Sequence, residues 1–258
     1  MKLYIKYLAI HIKSQMQYKV SFYLMMAGYF VVSFSMLLGV YFMMSRFNTV
    51  DGFTFEEVLI GAAVTMAGFA IGEGVARAFD MFPVVISNGE FDRMLVRPRG
   101  LIFQVMAAKL ELSRLGYIAQ AAVVLCYAVP ASGIVWTADK IITLILMIVC
   151  GGTVFCCLFL IYAALSFFTI EGLEFMNVFT DGGREFGRYP FSIYGKEVLK
   201  ILTYVVPMAL FQYYPLLYLI GRETGRFYMF LPLLSLLFVF PAYGLWRLGL
   251  RNYKSTGS

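Results

Sequence analysis

Five stretches of 20 residues or more carry no charged side chain: Val20–Ser45, Leu115–Ala138, Ile141–Ile170, Ile201–Gly221 and Phe227–Trp246. A helix rises about 1.5 Å per residue, so about 20 residues cross a hydrocarbon core of about 30 Å. Lipid offers the backbone no hydrogen-bond partner, so a run that crosses it must be helical. A sixth candidate, Glu56–Ala78, is apolar from Val58 to Gly72 and polar at its end. Only 14% of the residues are charged, against about 25% in a soluble domain. The expected fold is an all-α integral membrane protein with six transmembrane helices. No internal repeat or linker divides it, so residues 1–258 are expected to form a single transmembrane domain.

Lysine and arginine set the expected orientation. In a simple six-span arrangement, Arg46, Lys140, Arg222 and Arg226 fall outside, and the other 17 of the 21 basic residues fall inside or at inner span ends. Basic residues stay preferentially in the cytoplasm, so both termini are expected there. The net charge of +6 is then a positive-inside surplus and implies no nucleic acid partner. Residues 1–19 lack the apolar core and cleavage site of a signal peptide. Ile5, Leu8, Ile12 and Met16 share one helical face, and Lys2, Lys6, Lys13 and Gln17 the other. That pattern predicts an amphipathic helix in the inner interface, its lysines toward anionic headgroups.

The region after Phe168 admits two arrangements. In one, 171–200 is a cytoplasmic loop and 201–221 is the fifth span. In the other, the fifth span lies near Glu171–Gly187 and 188–221 dips into the outer leaflet as a re-entrant hairpin, broken by Pro190, Pro207 and Pro215. The second moves Arg184, Arg188, Lys196 and Lys200 outside and buries Glu171, Glu174 and Asp181, at up to ~3 kcal/mol each if unpaired. Elsewhere, the third span runs from about 115 to 130 and starts earlier if its helix extends back to Phe103. The last span ends in Trp246, Arg247 and Arg251, an aromatic and basic anchor for the inner surface.

Chemistry is sparse. There is no G-x-x-x-x-G-K-[ST] loop to cradle nucleotide phosphates, no H-E-x-x-H and no G-x-S-x-G, so no catalytic residue, no metal ligand and no cofactor in this chain is expected, and the protein is not expected to be an enzyme. Cys126, Cys150, Cys156 and Cys157 match no metal or redox spacing and read as packing residues inside spans. His11 receives no role. Glu73, Arg77 and Asp80 lie on one side of a helix and should pair with one another near the inner interface. They form either a structural charge cluster or the lining of a translocation path.

One polar segment is more patterned than the rest. In the cytoplasmic stretch 81–102, Ser87 or Asn88 can cap a short helix, and Glu90 and Asp92 suit its positive N-terminal end. Pro98 disfavours helix at Arg97, which stops it within about two turns. Phe91, Met94 and Leu95 give it an apolar stripe suited to docking in a groove on a soluble partner. Gly89-Glu90-Phe91-Asp92-Arg93-Met94-Leu95-Val96-Arg97-Pro98, followed by Gln104, resembles the hallmark of the ABC transporter permeases of the type 2 exporter family, in the branch with bacterial multidrug and viologen-type exporters. Arg188-Tyr189-Pro190, Ser192-Ile193-Tyr194 and Pro207 resemble that family's pattern before the last span, and Tyr253–Ser258 its C-terminal end.

The resemblance implies six spans, an N-terminal interfacial helix over 1–19, a coupling helix at Glu90–Leu95 that docks on an ATPase, and a re-entrant element over Tyr189–Gly221. Gly89, Glu90, Phe91, Asp92, Arg93, Leu95 and Arg97 would then couple the chain to two copies of an ABC ATP-binding subunit, which would hold ATP and Mg. A second permease chain, identical or related, would complete an exporter in the bacterial plasma membrane. An ATP-independent secondary transporter or channel is the alternative reading, and a membrane anchor without transport is a third.

Overall fold

The computed structural model describes residues 2–47, 49–169 and 173–254; Glu171 and the terminal Ser255–Ser258 lie outside the described residues. The helices are α1 (Lys2–Met16), α2 (Lys19–Phe47), α3 (Phe55–Asp80), α4 (Phe82–Ser87), α5 (Glu90–Leu95), α6 (Leu101–Ala108), α7 (Leu115–Ala131) and α8 (Ala138–Leu165). They continue with α9 (Asp181–Phe186), α10 (Lys196–Tyr204), α11 (Met208–Phe211), α12 (Tyr213–Leu219), α13 (Phe227–Ser235) and α14 (Val239–Asn252). Among the described residues there is no strand. Among the described residues, five helical units are long and apolar enough to cross a membrane, and six if the bent pair α10 with α11–α12 is one span.

The bundle is built around α3. It starts at a capping box: Thr54 Oγ1 accepts from Glu57 N–H at 3.4 Å, and Glu57 Oε2 accepts from Thr54 N–H at 3.0 Å. Its apolar length is buried on nearly all sides by α7 and α8. Small residues make that possible, as helices in lipid gain by backbone proximity rather than by hydrophobic exclusion. A Cβ on Gly68 would lie 3.1 Å from the Gly151 carbonyl carbon, and one on Gly72 would lie 2.5 Å from Phe155 Cβ. Gly116 of α7 meets the Met26 carbonyl of α2 in the same manner. By contrast α2 exposes Tyr23, Leu24, Met25, Val31, Val32, Leu38 and Phe42, an apolar face that suits lipid.

The third span does not extend as one helix back to Phe103. α6 ends at Ala108, Lys109 is extended, and a single tight turn at Leu112–Arg114 leads into α7. The freed carbonyls at the break are taken by α1: His11 Nε2 lies 2.8 Å from Ala107 O, and Gln15 Nε2 donates to Leu110 O at 2.6 Å. His11 therefore has a structural contact that sequence reading denied it. With the edge contact of Tyr7 on Phe103, positions 7, 11 and 15 form the face of α1 that meets the protein, and Ile12 stays exposed. The side chains of Ile5 and Leu8, placed on the apolar face, lie outside the described residues.

A straight helix over 201–221 does not form. α10 and the α11–α12 pair meet at 84°, with Pro207 at the bend. The chain from Phe167, packed on Phe82, returns through Leu173–Val178 and α9 until Gly187 presses on Thr65. Further on, Gln212 lies beside Gly61, Tyr213 faces Phe53, and Arg222 pairs with Glu57 at 3.7 Å and donates to Asp51 O at 3.4 Å. Residues 173–187 thus rise from the Asp80 end to the middle of α3, and 212–222 lie at its Phe55 end. Four of the charges in this segment pair with one another: Arg184 with Asp181 at 3.5 Å and Glu185 at 3.2 Å, and Arg188 with Glu185. The Arg184 guanidinium also sits 4.7 Å over the Phe69 ring. Pairing offsets the cost of unpaired carboxylates at this depth.

Candidate functional site: a charged layer and a braced surface helix

At the Asp80 end of α3 the three predicted residues do come together, and two more join them. Arg77 bridges Glu73 at 3.0 Å and Asp80 at 3.1 Å on its own helix, then reaches Glu111 at 3.3 Å. Arg114 approaches the same Glu73 oxygen at 2.9 Å and Glu111 at 3.5 Å. Its guanidinium also lies 4.1 Å over the Tyr29 ring of α2. Glu73 is only 3% exposed, and its Oε2 has no hydrogen-bond partner among the described residues. The layer therefore ties α3, the 109–114 break, α7 and α2 together at one depth. Glu111 and Arg114 were missed in the sequence, although KLELSR between two apolar helices was the signal.

Below this layer, Met81 ends α3 and α4 and α5 carry the chain out as two short helices. Neither Ser87 nor Asn88 caps α5 as expected. Ser87 Oγ turns back to Val84 O at 3.0 Å, Asn88 closes α4, and Gly89 precedes α5 with φ 67°. A turn this tight between two helices needs a left-handed residue, which glycine adopts without steric cost. Gln104 then holds the far side of the segment, donating to Met94 O at 3.1 Å and Arg99 O at 3.0 Å.

Phe91 does not face outward with Leu95. It is fully buried, with ring centroids 5.2 Å from Phe82, 5.4 Å from Phe167 and 5.0 Å from Tyr253. Trp246, expected as a surface anchor, is 2% exposed and packs on Phe79, Phe82 and Phe167. Asp92 accepts from Tyr253 Oη at 3.0 Å. The aromatic box joins α3, α4, α5, the end of α8 and α14 through edge-on contacts, each worth about 0.5–1.5 kcal/mol beyond burial. What remains exposed on and after α5 is Glu90, Arg93, Leu95, Val96 and Arg97, with Asp92 and Met94 half-buried. Charged and apolar groups thus alternate on a surface that is fixed to the transmembrane helices from behind.

Among the described residues no group of His, Cys, Asp and Glu could hold a metal ion. Cys150 and Cys157 are buried as packing residues, while Cys126 faces outward on α7. Neither a curated protein nor a solved structure matches the chain. The profile of the ABC-2 family transporter proteins matches residues 30–257, from the middle of α2 to the C-terminal end. On that match and this helical membrane architecture, the chain belongs to the ABC-2 family of transporter proteins and is a permease of an ABC transporter.

Proposed function

We propose that this permease is one half of an exporter driven by a separate ATP-binding subunit, with the exposed face of Glu90–Arg97 as the docking surface. The single observation that carries the reading is the burial of Phe91 in the aromatic box. A docking helix held only by its flanking loops would swing when pulled. One anchored by a buried ring and the Asp92–Tyr253 bond passes its displacement to α3, α8 and α14. ATP and Mg belong to the partner, whose closure would draw two such permeases together. That is a two-state element biased by nucleotide.

The orientation follows the charges. Thirteen of the 21 basic residues belong to α1, the Asp80 end of the bundle, the 81–114 segment and the C-terminal tail. The positive-inside rule puts that end in the cytoplasm, with both termini and α5, in a bacterial plasma membrane. The bent α10–α12 region then acts as a re-entrant element at the outer side. The second permease, identical or related, meets this chain to complete the path.

Reconstitution tests the reading. Vesicles holding the chain, its second permease and an ATP-binding subunit should show transport only with hydrolysable nucleotide. Ion-gradient-driven transport without the ATP-binding subunit would instead establish the secondary-transporter alternative.

A further inference from the structure

We propose that the cleft between α1, the foot of α2 and the 108–113 break binds the phosphate headgroup of an anionic phospholipid from the leaflet at that end. A cavity of about 490 Å³ is lined there by His11, Ser14, Tyr18, Ser21, Lys109 and Ser113 over an apolar floor of Phe22, Met25 and Leu110. Glu111 also lines it, but its carboxylate is engaged by Arg77 and Arg114. Among the described residues no carboxylate lies within ion-pair distance of Lys109 or Lys19. Hydroxyl donors and a lysine ammonium group are what a phosphate monoanion needs.

Two further observations select a lipid over a free anion. The cavity adjoins a shallow, open trough lined by Gln17, Tyr18, Lys19, Val20, Ser21, Leu24 and Met25; the two share Tyr18, Ser21 and Met25. The trough is polar at Tyr18–Lys19 and apolar at Leu24–Met25, and it runs along α2 in the direction of the bilayer interior. The cavity also lies short of the Asp80 end of α3. The Glu111 N–H donates to Gly74 O at 3.2 Å, which sets the cavity floor six residues, or ~9 Å, from the Asp80 end of α3. A headgroup in the cavity and an acyl chain in the trough would share one molecule. The occupant would brace α1, whose His11 and Gln15 hold the break above α6. This inference does not depend on the ATPase partner.

Full-length protein in phosphatidylcholine bilayers with and without phosphatidylglycerol tests it. Native mass spectrometry should show phosphatidylglycerol retained over phosphatidylcholine by about thirtyfold, the effect of two lysines near an anionic headgroup. Lys19→Gln with Lys109→Gln should abolish the preference, and Lys140→Gln, at the other end of the bundle, should leave it intact. If the double variant does not fold, Ser14→Leu, which fills the cavity, should lose phosphatidylglycerol while keeping the gel-filtration profile. Equal retention of the two lipids, or a preference unchanged in these variants, overturns the proposal. So does displacement of the lipid by inorganic phosphate, which would mark a free-anion pocket.

Discussion

Glu73 shows how little room the charged layer leaves for error. One of its oxygens receives both Arg77 and Arg114 in a site with almost no solvent contact. Removing one partner of such a set leaves a buried charge uncompensated, which costs about 3–5 kcal/mol. Glu73→Ala is therefore expected to lower the midpoint of denaturant unfolding sharply, and Glu73→Leu combined with Arg114→Met to recover most of the loss. A structural layer behaves this way. If instead Glu73→Ala is as stable as wild type but transport stops, the layer belongs to the translocation path. Phe91 makes a parallel case in apolar chemistry. Phe91→Ala should cost about 3–5 kcal/mol and Phe91→Leu clearly less, measured by thermal unfolding in detergent.

At the scale of elements, the glycines of α3 decide how closely it packs on α8. Adding a methyl at Gly72 drives it into Phe155 Cβ, 2.5 Å away in the present geometry. Gly72→Ala should destabilise by about 1–3 kcal/mol, whereas Gly28→Ala on α2, with nothing within 4 Å of the added carbon, should be neutral or slightly stabilising. Parallel unfolding curves of the two variants check this. The bent region makes a topological prediction. If 188–221 lies at the outer side, Lys196→Cys in intact cells reacts with an impermeant maleimide; labelling only after permeabilisation would put that segment inside.

The long helices were legible because a charge-free run in lipid has one solution. α2, α3, α7, α8 and the α13–α14 pair lie where the runs lie. What periodicity could not supply was pairing between distant segments. Nothing local to Phe91 says that its ring meets Tyr253, 162 residues on, so an intramolecular anchor looked like part of a docking stripe. Trp246 was misread for the same reason, since burial depends on Phe79, Phe82 and Phe167 converging from three elements. The break at 109–111 was hidden because its carbonyls are satisfied by α1, nearly 100 residues earlier. The 201–221 run carries no charge, and its 84° bend comes from the proline and its tertiary surroundings, which hydropathy does not register.

At the scale of the whole molecule, α5 stands at one end of a continuous physical connection. It runs from the exposed Leu95 and Arg93 through Phe91 to Phe82, Phe167 and Trp246, and so to three transmembrane helices. The charged layer lies immediately above, on α3. The proposed docking surface thus has what a force-transmitting element requires: a solvent-facing side with mixed charge and apolar groups, and a side buried among aromatic rings. The most direct test is the ATP hydrolysis rate of the partner subunit in vesicles, with this chain either wild type or carrying Glu90→Arg and Leu95→Asp, two exposed positions outside the aromatic box. The account predicts that stimulation by the variant falls by at least about tenfold, ~1.4 kcal/mol of coupling, while its unfolding curve matches wild type. Undiminished stimulation by a correctly folded variant would contradict it.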